Sequence, residues 1–113
     1  WPKVTSGKKA LKKALKKALA RPFNTKSLFS ILTCQQIPDD SLLPDTGVGL
    51  AWERMLSPLF IRSLEYGTRS STLLVVDQHH RMEVIERTWD KADPGRYSDL
   101  EFVLTPPTGP ETL

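Results

Sequence analysis

Tyr66-Gly67-Thr68-Arg69-Ser70-Ser71-Thr72 runs straight into Leu73-Leu74-Val75-Val76-Asp77, and Glu86-Arg87-Thr88 follows a few residues on. Thr72 to Val76 is a short, continuous, β-branched-rich apolar run, and Met82 to Trp89 is a second extended segment. With Asp77-Gln78-His79-His80-Arg81 as the turn between them, the pair reads as a β-hairpin. Leu100-Glu101-Phe102-Val103-Leu104 alternates as a closing strand, after a polar loop over Lys91 to Ser98 that contains Pro94-Gly95. Leu73 to Val76 is apolar at every position, so both faces of that strand call for cover.

Working back from the hairpin, Pro58 makes Phe60, Ile61 and Arg62 after it an edge or the start of a strand. Residues 35–49 hold Pro38, Asp39, Asp40, Pro44, Asp45, Gly47 and Gly49 and read as a loop. Leu28, Phe29, Ile31 and Leu32 give one apolar face of a helix that Asn24 or Thr25 can cap. From Lys8, Lys-Lys-Ala-Leu occurs three times, which places Leu11, Leu15 and Leu19 on one side of a helix and six lysines on the other. Ser6 is the expected N-cap of this helix, and Pro22 its end. Like-charged pairs such as Lys8/Lys12 and Lys9/Lys13 each destabilise it by ~0.2–0.5 kcal/mol, so burial of the leucines has to supply its stability.

The chain's 113 residues and 39% apolar content suffice for one small domain or part of one. No run is apolar for the ~18–20 residues of a transmembrane helix. Its net charge of +3 is unevenly spread: residues 1–26 carry nine Lys or Arg and no acid, and the remainder carries seven basic and thirteen acidic groups. Cys34 is the single cysteine, which rules out an internal disulfide and, at the end of an apolar stretch, reads as a small buried thiol.

Tyr66 to Thr72, Leu73 to Asp77, Glu86-Arg87-Thr88 and the upstream Leu43-Pro44-Asp45-Thr46-Gly47-Val48 together resemble the C-terminal part of the NRDE family. That family is named for an Asn-Arg-Asp-Glu motif near its start and includes transport and Golgi organisation protein 2. The resemblance implies an α+β fold: the C-terminal part of an N-terminal nucleophile hydrolase-like αββα sandwich, with two helices followed by antiparallel strands. It also implies that residues 1–104 are the C-terminal portion of the family domain, with the N-terminal half as their partner; residues 105–113, with Pro106, Pro107 and Pro110, read from composition as a disordered tail. The family's candidate nucleophile, a cysteine after the initiator Met, is not in this sequence, so the chain should be inactive alone. Leu43 to Val48 and Ser57 to Ile61 look closest to bacterial members, with a cytoplasmic location. By the same resemblance, members are linked to secretory-pathway organisation and to haem and lipid handling, with an amide-hydrolase ancestry. Relatives carry Gly where His80 stands, which implies a positive φ there.

Chemistry concentrates before the first hairpin strand. Arg69 offers a planar fork of donors, and Thr68, Ser70 and Ser71 set hydroxyls around it beside the Tyr66 ring, a grouping suited to holding a small anionic ligand. The structural alternative is that the hydroxyls satisfy backbone groups and Arg69 pairs with Glu86 across the hairpin. His79 and His80 are adjacent and lack a third ligand at metal-site spacing, so no metal is expected. Asp39 and Asp40 read as loop acids, and no motif implies a cofactor; haem enters by family resemblance only. Lys8, Lys9, Lys12, Lys13, Lys16 and Lys17 have two readings. One is a solvated face on a helix docked through its leucines, which is preferred; the other is a small binding module using this helix on anionic membrane or nucleic acid. No aromatic residues interleave with the lysines to stack on bases, which argues against nucleic acid.

Overall fold

The computed structural model describes residues 1–18 and 24–107. Among the described residues, three α-helices precede three antiparallel strands, an α+β arrangement: α1 Pro2–Ala18, α2 Thr25–Leu32, a 3-10 turn at Asp40–Leu42, α3 Leu50–Leu56, β1 Ser70–Val76, β2 Met82–Trp89 and β3 Tyr97–Leu104. The sheet order is β1-β2-β3. No described helix is long and apolar enough to cross a membrane.

Helix α1 begins at Pro2 rather than after Ser6. A proline in the first helical position gives up an N–H that has no intrahelical partner there, and its fixed φ suits the helix. The expected end at Pro22 and the third leucine, Leu19, lie outside the described residues. Helix α2 is capped by Asn24, whose side-chain oxygen accepts from Lys26 N at 3.0 Å. Helix α3 forms the lead-in before Pro58, where Trp52-Glu53-Arg54-Met55-Leu56 has no helix breaker until Ser57-Pro58. Beyond it, Arg62 makes a single bridge to Gly67 instead of a strand.

The hairpin forms as the sequence requires. Asp77 Oδ1 accepts from the amides of His79 at 2.8 Å and Arg81 at 3.0 Å, and His80 adopts φ +61°. These amides hold the Asp77 carboxyl below the usual carboxylate range, Arg81 contributing most. Strand β3 starts three residues earlier than its apolar alternation suggested, because Tyr97 pairs with Trp89 and Asp99 with Arg87.

Register divides the sheet into two unlike faces. On the inner face Ser71, Leu73 and Val75 line up with Arg87, Ile85 and Glu83. Helix α2 covers this face, and Phe29, Phe60, Ile85, Trp89 and Ala92 form the core with Leu32 and Leu73 at its margin. The outer face carries Leu74 and Val76 beside Leu100, Phe102 and Leu104, all at least half exposed, at 60%, 51%, 58%, 50% and 58%.

Helix α1 also departs from expectation. Leu11 and Leu15 are 44% and 45% exposed rather than docked. The partly buried edge is instead Lys3, Gly7, Ala10 and Ala14. A Cβ on Gly7 would sit 3.5 Å from both methyls of Leu59, and Lys3 Nζ donates to Leu56 O at 2.7 Å. Small side chains let the helix lie close to that segment; leucines would hold it away.

Candidate functional site

Residues 60–69 form a tight excursion that presents the Tyr66-Gly67-Thr68-Arg69 stretch. Ser63 Oγ donates to Tyr66 O at 2.6 Å and accepts from Tyr66 N at 2.9 Å, closing a short turn. Thr68 N donates to Ile61 O at 2.8 Å while Thr68 Oγ1 accepts from Ile61 N at 2.9 Å. Trp89 N then donates to Arg69 O at 2.9 Å, docking the excursion on the end of β2.

Opposite it, the chain turns from β2 into β3 through Asp90 to Arg96. Asp90 N donates to Arg96 O at 2.8 Å, and their side chains pair at 2.9 Å. Lys91 and Ala92 both hold φ +51°, a conformation disfavoured for residues with a Cβ. That double kink drives Ala92 into the core at 7% exposure and against Gly67. A Cβ on Gly67 would lie 2.6 Å from Ala92 Cβ and 3.3 Å from Ile61 O, so glycine is required there by close approach. Gly67→Ala is therefore expected to cost about 1–3 kcal/mol, as overpacking does. Chemical denaturation of the single variants and of Gly67→Ala/Ala92→Gly would check it: the pair should lose less than the sum of the two single changes.

Between the two excursions lies an open cleft of about 790 Å³, with Tyr66, Thr68 and Arg69 on one side and Trp89, Asp90 and Lys91 on the other. Arg69 and Lys91 have no ion-pair partner among the described residues; Asp90 is held by Arg96. The expected alternative for Arg69, a pair with Glu86, does not form. Glu86 stands opposite Thr72 and Leu100 on the outer face, whereas Arg69 follows the inner-face register beside Trp89.

The sequence candidates thus separate. Tyr66, 53% exposed, and Arg69 face the cleft, while Thr68 lines it with its hydroxyl committed to Ile61. Ser71 is buried and accepts from Trp89 Nε1 at 3.0 Å, so it positions the indole. Ser70 is exposed on the outer face. Of the lysines, Lys8, Lys9, Lys12, Lys13, Lys16 and Lys17 are all exposed on α1, well along the chain from the cleft. Cys34 is partly rather than fully buried, because its carbonyl, accepting from Phe60 N at 2.9 Å, keeps it where the chain leaves α2.

Two features escaped sequence reasoning. Arg87 lies between the rings of Phe29 and Tyr97, 3.8 and 3.7 Å from their centroids, and makes two bonds to Asp99 at 2.8 and 2.9 Å. These bonds hold the Asp99 carboxyl below its usual range and raise Arg87. The signal was the Arg87/Asp99 register, visible only once β3 is extended back to Tyr97. The other is Glu53, 3% exposed, whose Oε1 accepts from Thr46 N at 2.6 Å and from the Thr46 hydroxyl. Its Oε2 is buried without a partner among the described residues.

Comparison with known families matches the family described as Transport and Golgi organisation 2 over residues 1–91. The chain belongs to that family. The family match takes in all three helices, the cleft-forming 60–69 excursion and strands β1 and β2, together with Arg69 and Lys91. No curated protein matches the chain.

Proposed function

We propose that this chain is the site-bearing portion of a Transport and Golgi organisation 2 family member with an N-terminal nucleophile hydrolase-like sandwich, whose other sheet packs on the outer face of β1-β2-β3. The observation that carries this reading is the open apolar face formed by Leu74, Val76, Leu100, Phe102 and Leu104. The natural occupant is the N-terminal half of the family domain, which would also bring the candidate nucleophile.

In the complete protein, the cleft then holds the anionic end of a small ligand. Arg69 supplies a bidentate fork and Lys91 a point charge. Haem propionates and lipid phosphates, the ligand classes to which family resemblance leads, both present that chemistry. Among the described lining residues, Arg69 and Lys91 supply the cations for such a group, and Tyr66 is the side chain able to meet a haem iron.

Two measurements test the two layers of this reading separately. The chain alone should bind a hydrophobic dye and show weak amide protection in the sheet, both reversed when the N-terminal half is co-expressed; a cooperative, dye-silent monomer would remove the second-sheet reading. In the complete protein, Arg69→Lys should weaken binding of haem or of a short-chain phosphatidic acid about tenfold or more while leaving the melting temperature in place. Unchanged affinity for both probes would refute the role of the fork.

A further inference from the structure

We infer that α1 is an interfacial helix that seats on an anionic lipid surface. Three independent observations meet on this one element. The first is its apolar ledge: Val4, Leu11 and Leu15, spaced seven and four residues apart and so on one side of the helix, are 51%, 44% and 45% exposed. The edge that docks on the body is a different one, Lys3, Gly7, Ala10 and Ala14, so the ledge is left over after the helix has packed.

The second is charge. Lys8, Lys9, Lys12, Lys13, Lys16 and Lys17 are exposed around the rest of the circumference, and residues 1–26 contain no acid. The ion pairs among the described residues join Arg54 to Asp40, Arg81 to Glu83, Arg87 to Asp99 and Arg96 to Asp90, and none uses these lysines. Repulsion between lysines one turn apart is relieved when the face meets a negative surface. The third is Trp1, 40% exposed at the start of the same helix with Lys3 Nζ 5.2 Å from its ring centre, a side chain suited to the headgroup level.

A strongly charged polar face, an uncovered apolar side and low overall hydrophobicity are the physical profile of a helix lying in the membrane plane. Leucines entering the acyl boundary and lysines reaching headgroup phosphates use both halves of α1 at once. A nucleic acid would use the lysines and leave the ledge in water.

The test is flotation of the full-length protein with vesicles of phosphatidylcholine alone or with 30% phosphatidylglycerol (about one lipid in three) at ~0.1 M salt. Wild type should float with the anionic vesicles only. Lys8→Gln/Lys12→Gln/Lys16→Gln should lower the partition coefficient roughly a hundredfold, since each lysine near such a surface contributes roughly fivefold. Leu11→Ser/Leu15→Ser should also lose binding with every charge retained, and far-ultraviolet circular dichroism should show both variants folded. Should the leucine pair alter folding, Leu11→Met/Leu15→Met keeps the ledge apolar and must bind as wild type. Failure of wild type to float, equal binding to neutral vesicles, full binding by the lysine variant, or tight binding to duplex DNA in place of vesicles would each overturn the inference.

Discussion

Phe60→Ala is expected to destabilise the complete protein by about 3–5 kcal/mol, the range for deleting a fully buried aromatic side chain. Phe60 is 0% exposed and meets Trp89 edge-on at 5.1 Å, with the rings 87° apart. Its amide is tied to Cys34 O, so the backbone is fixed at both the α2 exit and the core, and the site cannot readily collapse around the void. The loss should spread to the cleft, because Trp89 also leans on Tyr97 at 5.6 Å and carries the Arg69 docking bond. Urea denaturation followed by tryptophan fluorescence gives the magnitude, and a loss below about 1 kcal/mol would mean that Phe60 is not the keystone of this small core.

The second large effect is expected at Arg87. Its two charge-assisted bonds to Asp99 and its stacking between Phe29 and Tyr97 lie at 15% and 25% exposure for the two charged side chains. Arg87→Met keeps most of the stem's apolar contact but removes the fork, and should cost about 3 kcal/mol. Lysine should rescue little of this, since an ammonium neither stacks on two rings nor bonds both carboxylate oxygens.

The pair also sets an acid limit. Asp99 titrates below its ordinary value chiefly because Arg87 donates to it, so it binds fewer protons in the folded state than in the unfolded one. That contribution is complete above the ordinary carboxylate range, about pH 4, and disappears as pH falls through the depressed value of Asp99. Stability measured between pH 6 and pH 3 should therefore fall more gently in Arg87→Met than in wild type, and parallel profiles would refute the linkage.

Hairpin and helix α2 were legible in the residues because their signals are local. A β-branched run, a polar turn and a second extended segment specify pairing between neighbours, and Asn24 before an apolar face specifies a capped start. The left-handed His80 was implied by the glycine that relatives carry at that position. After Pro58 the expected strand did not form: Arg62 makes only a bridge to Gly67, because the chain turns back there through Ser63 and Tyr66.

Within the cleft, the sequence singled out Tyr66 and Arg69 but not their counterparts Lys91 and Ala92, whose left-handed backbone is imposed by the return from β2 to β3. Hydroxyl residues that looked equivalent along the chain, Thr68, Ser70 and Ser71, became a loop clasp, an outer-face group and an indole acceptor, because alternation sends neighbours to opposite faces of a strand.

The sequence by itself determined the family, the α+β order of elements, the strand pairing of the hairpin and the amphipathic, acid-free character of α1, since each rests on residue type and short spacing. Only the tertiary structure decided which edge of α1 packs, which sheet face stays open and where Arg69 and Arg87 find or lack partners. Periodicity tells which residues share a side, but not which side meets the body: that depends on how closely two backbones approach, and here Gly7 and the small alanines allow a contact that the leucines do not.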